Sequence, residues 1–138
     1  MKSSNRVIHW GKLFWKFEND MTQNSDVSTT SIASVDVFKA LADPIRLRII
    51  NLLLHRDELC VCHLIDVLSL PQSSISRHLG TLRHTGLVAG RKDKLWVYYR
   101  MTVDEQSPLF GLMRELSALH QHESVLADDL ERVKHINC

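Results

Sequence analysis

The sequence predicts a mainly α-helical fold with one β-hairpin, on three observations. Apolar residues recur at helical spacing from Ile32 to His84. Between Leu87 and Arg100 the pattern turns β-type, rich in β-branched and aromatic residues. After Pro108 an apolar stripe at helical spacing returns. The 138 residues, 44% of them hydrophobic and 24% charged, suit one soluble domain with a modest core.

Residues 1–20, MKSSNRVIHWGKLFWKFEND, hold all but one of the tryptophans. Val7, Trp10, Phe14 and Phe17 can share a helical face there, and Lys12 and Lys16 interrupt any signal-peptide core. Met21 opens a polar stretch, TQNSDVSTTS, that reads as disordered. Residues 1–31 therefore read as a flexible extension, with Met21 as an alternative start. A first short helix follows, with Ile32, Val35, Phe38 and Leu41 as its inner row. Asp43 then caps a second helix that has Pro44 in its first turn. Ile45, Ile49, Leu52 and Leu53 form its inner face, and His55-Arg56-Asp57 ends it. A third helix is expected over Leu59 to Leu68, with Leu64, Val67 and Leu68 inward. After the turn Ser69-Leu70-Pro71, a fourth runs from Gln72 to His84 and buries Ile75, Leu79 and Leu82. Gly86 stops it as a left-handed cap. Leu87–Arg91 and Lys94–Arg100 make the hairpin, with Lys92-Asp93 as its loop. Ser107-Pro108 opens a last helix striped by Leu109, Leu112, Met113, Leu116 and Leu119. Leu126, Leu130 and Val133 continue the stripe after a polar break. Two helices joined by a tight turn and followed by a hairpin define a winged helix-turn-helix, here 32–106, with 107–138 as closing helix and tail.

The net charge of +1 hides a division. Residues 71–101 carry Arg77, Arg83, Arg91, Lys92, Lys94 and Arg100 against Asp93 alone. The tail beyond them is acidic. Such a basic block is a footprint for a polyanion. The outer face of the fourth helix offers Gln72, Ser73, Ser74, Ser76, Arg77 and His78, short or forked hydrogen-bonding side chains suited to a major groove. With Arg91, Lys92 and Lys94 on the hairpin, these are the candidate DNA contacts. No apolar run reaches membrane-spanning length. No Gly-rich phosphate loop or His/carboxylate set at catalytic spacing is present, so neither an enzyme nor a catalytic cofactor is expected. Three cysteines do not make a disulfide framework, which favours the cytoplasm.

ELCVCHL places Cys60 and Cys62 one residue apart. Thiolates are soft ligands that select thiophilic ions, and a helix N-terminus favours the thiolate. On a regular helix, residues i and i+2 stand roughly 200° apart, so one ion cannot grip both sulfurs without distorting the helix. Oxidation of the thiols is the alternative reading. His120, His122, Glu123 and His135 read as solvated polar residues rather than a zinc site.

ALADPIRLRIINLLL, ELCVCHL and PQSSISRHLGTLRHTGLVAGRKDKLWVYYRM together resemble the ArsR/SmtB family of metal-responsive repressors, over about Phe38 to Met101. ELCVC is most similar to the arsenical-resistance type. The resemblance implies a homodimer, made by its terminal helices, on an operator in double-stranded DNA. It implies release when As(III) or Sb(III) binds Cys60 and Cys62. Members of this type often carry a third cysteine where this chain has Ile65, and an aspartate where it has His63. The third sulfur is then Cys138, a small thiol, or absent, and a two-thiol site suits a methylated arsenical.

Overall fold

The computed structural model describes residues 34–120 and 122–136. The expectations placed on residues 1–31, on Ile32, on Met21 and on Cys138 lie outside the described residues.

Helix α1 spans Ser34–Leu41 and buries Val37, Ala40 and Leu41. Val35 and Phe38, expected inward, are 54% and 55% exposed. A strict three-residue spacing lags the 3.6-residue turn, so that row winds off the contact face. Helix α2, Pro44–His55, starts as its sequence predicts. Asp43 Oδ1 accepts the backbone N–H groups of Ile45 at 2.9 Å and Arg46 at 3.1 Å. Arg46 in turn donates to the Ala40 and Lys39 carbonyls, capping the end of α1. Ile49, Ile50, Leu52 and Leu53 are buried, whereas Ile45 is only half-buried.

The next segment departs from expectation. Leu59 and Cys60 form a two-residue strand, β1, and helix α3 begins only at Val61, running to Leu68. Cys60 is extended, with φ −69 and ψ 148, because its backbone pairs with another strand before the helix starts. Leu64, Val67 and Leu68 point inward as expected. Ser69, in the left-handed region at φ 53, ends α3. Helix α4 covers Gln72–Thr85 and closes on Gly86 at φ 85, a conformation that glycine adopts without steric cost.

Strands β2, Val88–Asp93, and β3, Trp96–Met101, form the hairpin. Its turn is Lys94-Leu95, not Lys92-Asp93: Asp93 pairs with Trp96, and Lys94 takes φ 55. The period-2 pattern locates a hairpin but leaves its turn free to slide when no glycine marks it. The sheet order is β1-β3-β2, all antiparallel. The closing stripe is two helices, α5 over Pro108–His120 and α6 over Ser124–Lys134. Of that stripe Met113, Leu126 and Val133 are buried, while Leu112 and Leu119 are exposed.

The core gathers Ile49, Leu52, Leu64, Ile75, Leu79, Leu82 and Leu87, all fully buried. Two polar ties cross it. Ser117 donates to Asn51 Oδ1, joining α5 to α2. Arg48 grips Asp129 with two bonds, Nε to Oδ2 at 2.7 Å and a terminal nitrogen to Oδ1 at 2.8 Å. Asp129 is 0% exposed, so α6 is fastened to α2 by a desolvated ion pair. Arg132 of α6 also donates to the Val67 carbonyl in the last turn of α3, at 3.1 Å.

Two stability outcomes follow. Asp129→Ala leaves Arg48 without its partner and lowers stability by about 3 kcal/mol in urea unfolding. Asp43→Ala removes the α2 cap and costs about 1 kcal/mol at neutral pH. Partial burial raises the Asp43 carboxyl, but the Arg46 and Ile45 N–H groups and the charges of Arg46 and His78 outweigh it and hold it below its ordinary value. The cap's contribution is therefore present above the unfolded carboxyl's pKa and is lost as pH falls through the folded one. Unfolding curves for wild type and Asp43→Ala should converge in acid.

Candidate nucleic-acid interface and thiol pair

Helix α4 presents Gln72, Ser73, Ser76 and Arg77 to solvent, and Ser74 is half-buried. Thr81 and His84, one and two turns beyond Arg77, are exposed as well. His78 does not belong to this face. It is buried, with Nδ1 3.5 Å from an Arg46 terminal nitrogen and 3.8 Å from Asp43 Oδ1. Three residues past Ile75 and one before Leu79, it falls on the inner side of the helix. The sequence expectation of an outward His78 is corrected: its ring faces Asp43 and Arg46 at the corner between α1 and α2.

On the hairpin, Lys92 and Lys94 are exposed, as is Arg100. The tip carries Leu95, 92% exposed, beside Trp96, 49% exposed. Arg91 is differently placed. Its Nε donates to Glu58 Oε2 at 2.7 Å and a terminal nitrogen to Glu58 Oε1 at 2.5 Å. Its guanidinium lies 4.5 Å from the centroid of the Tyr98 ring, a cation–π distance. The hydrogen bond from Arg91 holds the Glu58 carboxyl below its ordinary range. Residues 33 apart in sequence make this pair, and periodicity carries no signal for it.

The two cysteines sit where strand β1 runs into helix α3. Cys60 ends β1 opposite Tyr98 of β3 and immediately precedes α3. Cys62 lies in the first turn of α3 and is half-buried. Cys60 is a free thiol, 2% exposed, so it is not bridged to Cys62. The Cys60 N–H donates to His63 Nδ1 at 3.1 Å, which requires the ring's proton on Nε2. Two soft sulfur atoms thus lie one residue apart at a helix start. Among the described residues, no group of three or more His, Cys, Asp or Glu side chains is arranged to hold a metal ion.

A helix-turn-helix whose second helix shows a polar, basic face beside a basic hairpin is a winged-helix DNA-binding domain. Residues 43–89 match the family model described as bacterial regulatory protein, arsR family. The chain is 37% identical over 106 residues to the arsenic resistance transcriptional regulator ArsR2 of Pseudomonas putida, covering 77% of this chain and 90% of that one. It is 48% identical over 68 residues to the arsenical resistance operon repressor of Escherichia coli, covering 49% and 58%. It is 42% identical over 62 residues to the cadmium resistance transcriptional regulatory protein CadC of Listeria innocua, covering 45% and 52%. Among solved structures, HlyU from Vibrio cholerae superposes with a TM-score of 0.56 at 34% identity, over 70% of this chain and 98% of that one. The chain belongs to the arsR family of bacterial regulatory proteins, and it is a transcriptional regulator rather than an enzyme. No described helix is long and apolar enough to cross a membrane.

Burial of Cys60 has a measurable consequence. In a Cys62→Ser/Cys138→Ser variant, an alkylating reagent should label Cys60 at least about tenfold more slowly in the folded protein than in urea. Equal rates would place the thiol at the surface.

Proposed function

We propose that this chain is a homodimeric repressor of an arsenic-resistance operon, released from its operator when As(III) or Sb(III) binds Cys60 and Cys62. One observation carries the reading: Cys60 and Cys62 occupy the joint between a strand of the wing sheet and the first helix of the helix-turn-helix. An ion that draws both sulfurs together acts on both DNA-contacting parts at once. Names of relatives add support, since two are arsenic-resistance regulators.

The position of β1 changes the mechanics expected from the spacing. Cys60 already lies outside α3. Ligation does not have to unwind the start of α3; it has to bring Cys60 out of the core, undoing the Cys60–Tyr98 pairing and the Cys60–His63 cap. A hundredfold loss of operator affinity requires the ion to prefer the DNA-free form by about 3 kcal/mol. The third sulfur that a pyramidal As(III) site takes, by the family resemblance, comes from Cys138 or a small thiol. Cadmium is the second reading, favoured by the match to a cadmium-resistance regulator.

In this reading Gln72, Ser73, Ser74, Ser76 and Arg77 enter the major groove, and Lys92 and Lys94 meet phosphates. Val35 and Phe38 on α1 and Leu112 and Leu119 on α5, exposed and apolar, pack against a second copy. Both helices border one cleft, lined by Leu41, Met113 and Leu116. The cytoplasm keeps the thiols reduced.

Fluorescence anisotropy on a fragment of the protein's own promoter tests this. Arsenite added at near-stoichiometric levels should release the DNA, with zinc inert. Cys60→Ser should bind the fragment as wild type does and resist release; a variant still released by arsenite would move the sensor elsewhere. Arg77→Ala should weaken binding and lower the salt slope by about one if Arg77 meets a phosphate. Release by cadmium but not arsenite would select the second reading.

A further inference from the structure

The sheet register puts three residues in one row across its strands: Cys60 on β1, Tyr98 on β3 and Arg91 on β2. Glu58, two residues before Cys60, closes that row from the other side by taking both donors of Arg91. The wing is thus tied to the segment that carries the buried thiol by backbone pairing, by a ring stacked under a guanidinium, and by a two-bond ion pair. Two of the Arg91 donors are thereby committed to the Glu58 carboxylate.

We infer that Glu58 is a positioning residue for DNA binding: through Arg91 it sets the wing in its DNA-competent pose and makes the wing answer to the state of Cys60. The positioning half stands on the geometry alone. The coupling half rests on the thiol reading proposed above. When Cys60 leaves the core, the two-residue step to Glu58 carries the carboxylate with it, Arg91 loses its partner, and the wing swings off the DNA together with α4.

Simple electrostatics makes the test sharp. Glu58 is an acid in a domain that binds a polyanion, so neutralising it should tighten binding if it only repels phosphates. A positioning role has the opposite sign. Anisotropy on the promoter fragment, without any ion, is measured for wild type, Glu58→Gln, Arg91→Ala and the double variant, with unfolding curves confirming that each folds. Glu58→Gln should weaken binding about three- to tenfold, Arg91→Ala by a similar factor, and the double variant no further, as expected for two residues acting through one contact. Unchanged or tighter binding by Glu58→Gln, or additive losses in the double variant, would overturn the positioning role. Arsenite is then added to wild type and Glu58→Gln. The ratio of affinities with and without arsenite should be smaller in Glu58→Gln, by about the factor the substitution itself costs. An equal ratio overturns the coupling. A wild type that ignores arsenite overturns the coupling together with the thiol reading, and leaves the ion-free result to stand by itself. A wild type that does not bind the fragment overturns the repressor reading.

Discussion

The pairing of two residues, Leu59 and Cys60, with Tyr99 and Tyr98 governs the functional half of this domain. Backbone groups committed to a strand cannot also enter a helix, so α3 waits until Val61. That delay makes Cys60 a cap rather than a helical residue and buries its sulfur. It also brings Glu58 within reach of Arg91 and fixes the hairpin against the helix-turn-helix. A wing held only by its own two strands would be a marginal hairpin. With β1 it is part of the structure that holds the recognition helix.

Most of the fold could be read from the chain, and the reasons are local. Asp43-Pro44, Gly86 and Ser107-Pro108 are start and stop signals whose chemistry acts within a few residues, and the structure places helix boundaries at each. The rows Leu64, Val67, Leu68 and Ile75, Leu79, Leu82 have true helical spacing and are buried. Departures came where distant residues decide, and in one helix where the spacing itself misled. Leu59 and Cys60 have no period of their own, and β3 recruits them from almost forty residues away. His78 looks like one more polar residue of an outer face until Asp43 and Arg46 appear behind it. Val35 and Phe38 satisfied a three-residue spacing that a helix does not keep.

The same distinction divides the site. Gln72, Ser73, Ser76 and Arg77 were legible as an outer face because the buried row of the same helix defines the opposite side. The cysteines were visible as a motif, but their setting was not. Nothing in ELCVCHL announces that Cys60 is buried at the end of a strand while Cys62 is half-buried on a helix turn. Glu58 carried no signal at all, being a common acid before an apolar residue. Its meaning is supplied by Arg91.

The pair between Arg48 and Asp129 bears on how the protein is made. A ribosome delivers Arg48 to the folding chain 81 residues before Asp129. Until then the helix that carries Arg48 holds a cation with no counter-charge, and the Val67 carbonyl at the end of α3 lacks the Arg132 donor. A nascent chain can already contain the whole of α4 and the wing, yet the frame that aligns them is incomplete. The order of synthesis thus leaves the fastening of α2 and α3 to the last helix made, and these two contacts close only once α6 is in place.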